Sequence, residues 1–294
     1  MKYVDLHCDT VTECFDGGYA LANCGLQTDL EKLNKGKCAA QCFAIYTQGD
    51  GAAVRFKQCL AFYKQSGVKE VLNYADLKEC LKKGTGGILT VENLGFIEDV
   101  SQLEFLFAAG VKMASLVWNI ENSLACPNGA RGGLKPFGRE VLDELDRLKI
   151  IVDISHLSDG GANEILAGRK IPVVASHSNA KSVCNVPRNL SDDLIKKIAD
   201  CGGVVGVNFC KKFLGEGETF ESVFAHVSHI IRVGGEDTVA IGSDFDGIPA
   251  PENLEDCTKM PALISYLEGR GLKQSAIEKL CFDNFARVFK DICG

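Results

Sequence analysis

Residues 149–156 read KIIVDISH. Three apolar residues follow one another without a polar interruption, and the run ends on His156. A strand with one wet face alternates apolar and polar residues. A continuous run instead means burial on both faces, as in a parallel sheet covered by helices. Residues 171–178, IPVVASHS, repeat the pattern and place His177 at the end. Outward in both directions, similar runs recur at 3–7, 38–48, 86–93, 112–119, 202–209 and 237–246, eight in all.

The segments between these runs have helical spacing. AAVRFKQCLAFYKQ (52–65) is expected to put Val54, Cys59, Leu60 and Tyr63 near one stripe. GREVLDELDRLK (138–149) places Val141, Leu142, Leu145 and Leu148 on one face with charges opposite. LSDDLIKKIADCGG (190–203) starts with Ser191 as an N-cap and stops on a glycine pair. TFESVFAHVSHIIRVGG (219–235) and MPALISYLEGRG (260–271) behave alike. Eight strand–helix alternations in 294 residues predict one α/β domain spanning residues 1–294, a (β/α)8 TIM barrel with additional C-terminal helices. No G-x-G-x-x-G follows a strand, which argues against an open dinucleotide-binding sheet.

Composition narrows the functional classes. Hydrophobic residues make up 46% and charged residues 24%, enough for a sizeable core and against disorder. The net charge is −7 with no basic block, so no nucleic-acid partner is expected. There is no basic-then-apolar leader pattern, no apolar stretch long enough to span a bilayer and no lipid-anchor signal at KDICG; the expectation is a cytoplasmic protein without membrane contact. The fourteen cysteines contain no C-x-x-C and sit mostly in apolar runs, where a reduced thiol acts as a small hydrophobe.

Barrel enzymes carry their chemistry at the C-terminal ends of the strands. Those ends supply His7 and Asp9, Glu92, Trp118 and Asn119, His156, His177 and Asp244. In extended chain, residues two apart point to one face, so His7 and Asp9 are expected to reach one ion while Cys8 points into the wall. Three imidazoles and two or three carboxylates exceed one tetrahedral ion. They suit two divalent ions sharing a bridging carboxylate, for which Glu92 is the natural choice. A lone strand-end histidine is usually a hydrogen-bonded core residue. The signal is convergence, because the same groups without ions would be uncompensated buried charges. His226 and His229, three apart on a helix, have no carboxylate in a suitable motif and read as structural.

Five blocks, DLHCDT (5–10), TVENLG (90–95), GLKPFGREVLDELDRLKIIVDISHLS (133–158), VVASHSNAKSVCNVPRNLSD (173–192) and AIGSDFDGIPAPENLED (240–256), together resemble the membrane dipeptidase (renal dipeptidase-like) family of zinc metallopeptidases. The resemblance runs in order over nearly the whole chain and implies a (β/α)8 barrel of the metal-dependent amidohydrolase superfamily. By position it implies that His7 and Asp9 bind one ion, that Glu92 bridges, and that His156 and His177 bind the second, with Zn²⁺ the preferred metal. Asp244 becomes the acid/base and Arg188 the group that grips a substrate carboxylate. Asp246 is a same-face competitor for the role of Asp244. Where many members read Thr-His-Asn, this chain has Val117-Trp118-Asn119, and Trp118 and Asn119 are assigned to substrate binding. The implied activity is hydrolysis of dipeptides, including those with a C-terminal D-residue. The implied partners are a small peptide substrate and a second copy of the chain. The competing readings are an amidohydrolase acting on N-acyl amino acids, lactones or cyclic amides, and a non-catalytic barrel that binds metal or peptide.

Overall fold

Strand and helix alternate from the first residues onward. In a computed structural model, which describes residues 1–249 and 251–294, the strands are β1 (Tyr3–Cys8), β2 (Cys38–Tyr46), β3 (Lys69–Glu70), β4 (Gly86–Glu92), β5 (Val111–Ser115), β6 (Ile151–Asp153), β7 (Val174–Ala175), β8 (Val204–Val207) and β9 (Val239–Ile241). All of them pair in parallel. The ring closes because β1 pairs with β9 and with β2, and β2 pairs with β4 along its whole length. Eight strands make the barrel, and β3 is an extra two-residue ladder at the start of β4. The fold is therefore a (β/α)8 TIM barrel, as expected from the alternation.

The interior is packed rather than hollow. Leu6, Cys42, Ile88, Met113, Ile151 and Val174 share one buried cluster with Phe285 and Phe289 of the helix Asn284–Cys293. Val4, Val174 and Val204, at or next to the start of their strands, belong to the same cluster, so this C-terminal helix closes the N-terminal mouth. The opposite mouth is left for chemistry. Outside, Ser191 caps the helix Asp192–Asp200 by accepting from the Leu194 N–H, and Pro136 occupies the first turn of the helix Pro136–Arg147. Among the described residues, no helix is long and apolar enough to cross a membrane. All fourteen cysteines are free, and Cys8 is fully buried in the wall.

Two expectations are corrected. The buried stripe of the helix Ala52–Gln65 is Phe56, Cys59, Leu60 and Tyr63, whereas Val54 is 59% exposed. The spacing from Phe56 follows i, i+3, i+4, i+7, and Val54 falls off that face. The later strands are also shorter than their apolar runs. β6 stops at Asp153 because its carboxylate accepts the N–H groups of Ser155 and Ser176, replacing the backbone ladder.

Candidate metal centre

The six residues expected at the strand ends converge. Glu92 is the last residue of β4, and its Oε1 lies 3.0 Å from His156 Nε2, 3.5 Å from His177 Nε2 and 3.8 Å from His7 Nε2. His7 Nε2 is also 3.6 Å from Asp9 Oδ2 and 3.9 Å from Asp244 Oδ1. His7, Glu92 and His177 form one cluster, and His7, Asp9 and Asp244 a second, with the ligand atoms of each within 4.8 Å of one another. All six side chains are buried.

The local backbone explains how they meet. Asp9 does not continue β1. It is the N-cap of the helix Thr10–Gly17, with φ −97° and ψ 8°, so a turn rather than strand alternation brings it beside His7. His156, Asp244, Asp246 and Asn93 all have φ between 66° and 75°, in the left-handed region that side chains other than glycine avoid. Such strain gathers where surrounding contacts hold a site in place. A Cβ on Gly247 would fall 2.1 Å from Asp9 Oδ2 and 2.9 Å from Asp244 Oδ1, so only glycine fits against the two carboxylates.

The electrostatics are those of a cation site. Burial opposes charge on His7, yet Asp9, Glu92 and Asp244 together lift its pKa to about 10. His156 and His177 go the other way: burial first, then the charges of Arg188 and His7, push both well below the usual histidine range. Burial raises Glu92 well above the ordinary carboxylate range, with Asp9 and Asp244 adding to it against His7. Asp244 is pushed up to about 6, chiefly by burial.

Hydrogen bonding gives an independent test of whether a metal fits. His156 Nδ1 lies 2.8 Å from Asn119 Oδ1, an acceptor, and so carries the ring proton. His177 Nδ1 lies 2.7 Å from Ser176 Oγ. With His177 in the same tautomer as His156, both Nε2 atoms are lone pairs, and they face each other at 2.8 Å. That approach is favourable only with a positive charge between them. His7 Nε2 is buried and has no hydrogen-bond partner among the described residues. Three imidazole nitrogens and several carboxylate oxygens, several left without protein partners, fit a borderline divalent cation such as Zn²⁺.

Among the neighbours of the cluster, Asn208 and Tyr46 were not legible as site residues. Asn208 donates from Nδ2 to Asp244 Oδ2 at 2.8 Å and is itself locked to Asn179 by two further bonds. Asp246 is fully engaged: it accepts from Thr10 Oγ1 at 2.6 Å, from Gln27 N at 2.7 Å and from Thr28 N at 3.2 Å, pinning the loop before residue 30. Asp244, not Asp246, therefore faces the cluster. Arg188, which in isolation reads as a surface residue, is only 8% exposed. Its Nη1 donates to Ser178 Oγ at 3.0 Å, while Nε and Nη2 are buried without partners among the described residues. Trp118 packs edge-on against Tyr46 at 4.9 Å between ring centres. Both line a cavity of about 610 Å³ together with Asp9, Glu92, His156 and Asp244. Asn119 also touches this cavity, although its side-chain oxygen is spent on His156. A second hollow of about 810 Å³ beside Cys184 and Glu216 contains none of the six. His226 and His229 lie away from the cluster: His226 accepts from Ala180 N and contacts Leu214 O, and His229 contacts Asp192.

The chain matches the model of the membrane dipeptidase family, peptidase family M19, over residues 1–293. It is 34% identical over 254 residues to a Klebsiella pneumoniae protein encoded in the pqqA 5′ region, covering 80% of this chain and 93% of that one. It is 35% identical over 215 residues to an uncharacterized dipeptidase of Schizosaccharomyces pombe, covering 69% of this chain but spanning only 52% of the yeast protein. The crystal structure of a metallo peptidase, dipeptidase AC, superposes with a TM-score of 0.91 at 26% identity, covering 100% of this chain and 99% of that one.

Proposed function

The chain belongs to the membrane dipeptidase family, peptidase family M19, and on that premise we propose that it hydrolyses the amide bond of dipeptides at a centre built for two divalent cations, Zn²⁺ by preference. The observation that carries this reading is Glu92 Oε1, set within 3.8 Å of three imidazole nitrogens, one of them without a hydrogen-bond partner among the described residues. His7 and Asp9 would hold one cation, His156 and His177 the other, and Glu92 both. When bound, such cations acidify water and polarise a carbonyl oxygen.

The remaining work belongs to the protein. Asn208 fixes Asp244 Oδ2, which leaves Oδ1 directed toward His7 and the cluster. From there Asp244 takes the proton of the attacking water and hands it to the departing amine, which otherwise would leave as an anion. General acid/base help of this kind is worth about 10²–10⁴ in rate. Arg188 keeps two buried N–H donors, Nε and Nη2, along one edge of its guanidinium. A free carboxylate satisfies both in parallel, which selects short substrates with an open C-terminus. Trp118 and Tyr46 form an aromatic wall beside the cluster and shape the space for substrate side chains.

Trp118 favours one second reading. An indole N–H donates a single hydrogen bond and cannot act as a charged imidazole, so an N-acyl amino acid, whose carboxylate Arg188 would also hold, is the competing substrate. The test is a panel of dipeptides with L- and D-residues at the C-terminus, their C-terminal amides, and N-acyl amino acids, run on wild-type protein and Arg188→Ala. The proposal expects dipeptides to be turned over, and Arg188→Ala to reduce kcat/KM for dipeptides by about 10–100-fold while barely affecting the amides. Turnover of N-acyl amino acids alone replaces the dipeptide reading with its rival. Equal losses on acids and amides remove Arg188 from carboxylate recognition.

A further inference from the structure

Beneath the cluster lie two buried carboxylates that the proposed chemistry does not use, Asp5 and Asp153, at 0% and 4% exposure. Neither forms an ion pair with a lysine or arginine among the described residues. Each is instead gripped by a serine just beyond the end of the adjoining strand, in nearly the same way. Asp153 accepts from Ser176 N at 3.0 Å through Oδ1 and from Ser176 Oγ at 2.5 Å through Oδ2. Asp5 accepts from Ser243 N at 2.9 Å through Oδ1 and from Ser243 Oγ at 2.6 Å through Oδ2. Each serine immediately precedes a residue of the cluster, His177 or Asp244.

The two devices differ in what else the serine hydroxyl touches. Ser176 Oγ also contacts His177 Nδ1 at 2.7 Å. Among the described residues, Ser243 Oγ reaches beyond Asp5 only to backbone, accepting from Phe245 N at 3.2 Å and lying 3.2 Å from His7 O. A hydroxyl has a single proton. In Ser176 that proton goes to Asp153 Oδ2, a carboxylate oxygen at 2.5 Å, so the hydroxyl must receive at its other two contacts, His177 Nδ1 and Ser155 Oγ at 3.3 Å. His177 Nδ1 is therefore the N–H, and His177 Nε2 carries the lone pair toward Glu92.

We infer that Asp153 and Ser176 form a relay that fixes the tautomer and ring orientation of His177 for cation binding, and that the matching Asp5–Ser243 pair is a strand clamp only. The inference rests on the metal-centre reading above and names two positioning residues for it. His156 achieves the same end differently, through the neutral carboxamide of Asn119. Outer partners of this kind orient ligand imidazoles, and losing one typically costs about 10–100-fold in metal affinity.

The near-identity of the two pairs supplies the control. Ser176→Ala and Ser243→Ala each delete one buried serine–aspartate bond, so both are expected to lower the melting temperature to a similar extent. Full-length protein loaded with Zn²⁺ is dialysed against graded chelator, and metal retained is counted. Ser176→Ala should release one of its cations at about 10–100-fold lower chelator strength, whereas Ser243→Ala should track the wild type. With Co²⁺ in place of Zn²⁺, Ser176→Ala should alter the visible absorption and Ser243→Ala should not. Ser176→Thr, which returns a hydroxyl, should restore retention; Asp153→Asn, close in volume, should weaken it. Equal retention in the two alanine variants, or wild-type retention in a folded Asp153→Asn, overturns the relay while leaving the metal centre standing. A wild-type chain that retains no divalent cation overturns both.

Discussion

Four of the five histidines form two pairs, and the contrast between them shows what makes a site. His156 and His177 come from separate strand ends, 21 positions apart. His226 and His229 lie three apart on one helix, Thr219–Gly234, which by spacing alone resembles a helical metal pair more closely. All four are buried. In the helical pair the nitrogens are satisfied by the protein itself. His226 accepts the Ala180 N–H at 3.1 Å and donates to Leu214 O at 3.2 Å. His229 meets Asp192 Oδ1 at 2.7 Å and accepts from Arg232 Nη2 at 2.7 Å. In the strand-end pair the outer nitrogens are held, but the inner ones face each other and Glu92 with no proton to share. A ligand site is where the fold leaves lone pairs deliberately unmatched, whatever the sequence spacing.

The largest effect should separate the pairs outright. His177→Ala removes an inner nitrogen, and turnover should fall further than the about 10²–10⁴ expected from losing a general acid/base, with loss of bound cation measured on the same sample. His226→Gln should retain the cation. Equal cation loss in two equally folded variants would erase the distinction. Asp244→Asn comes next: cation content stays near wild type while kcat drops by about 10²–10⁴, because the amide cannot take up the proton. Near-wild-type turnover in Asp244→Asn moves the proton transfer to another group.

Much of this contrast was legible in the sequence, for a physical reason. Strand runs that are apolar on both faces, such as KIIVDISH, announce a parallel barrel, and the barrel sends every strand end to the same mouth. His7, Glu92, His156, His177 and Asp244 could thus be gathered without coordinates. Spacing could not show that Asp9 arrives through a helix start rather than an extended strand, since both backbones put it near His7. Nor could it separate Asp244 from Asp246, two residues apart, because the separation is made by Thr10, Gln27 and Thr28 from a distant loop. Asn208 and the serine–aspartate pairs were invisible for the same reason: short polar residues inside apolar runs look like ordinary interruptions until their partners are known. Arg188 was named through the family resemblance alone, because its residue type belongs on the surface, yet it is held at 8% exposure with two donors unpaired among the described residues.

The satisfied pair has its own signature in pH. Burial holds the His226 pKa down at about 4, against 6.5 for a free imidazole, with the nearby His229 adding to the shift and the Leu214 carbonyl opposing it. The folded chain therefore binds this proton less readily than the unfolded chain. Its contribution is fully present above pH 6.5 and is lost as pH falls from there through about 4. The loss amounts to about 3 kcal/mol at its full extent. Protonation at Nδ1 would also break the bond from Ala180 N, three residues beyond His177. Urea unfolding of wild type and His226→Gln between pH 7 and 4 should show a shallower acid loss in the variant. Parallel curves would mean that His226 is not the group being strained.

The smallest effect should come from His229, and its size is itself informative. The imidazole joins Asp192, the first residue of the helix Asp192–Asp200, to Arg232 on the neighbouring helix. Asp192 is held below the usual carboxylate range first by His229, with Ser182 helping. Its side chain is 46% exposed, so water can replace much of what His229 supplies. Removing the ring leaves no buried lone pair stranded, because Asp192 keeps Ser182 and solvent. His229→Ala should therefore cost about 0.5–1.5 kcal/mol in urea unfolding, with cation retention and turnover unchanged. A loss of bound cation in His229→Ala would show that the two histidine pairs are coupled through Asp192–Asp200, and the division between matched and unmatched nitrogens would no longer account for where the chemistry sits.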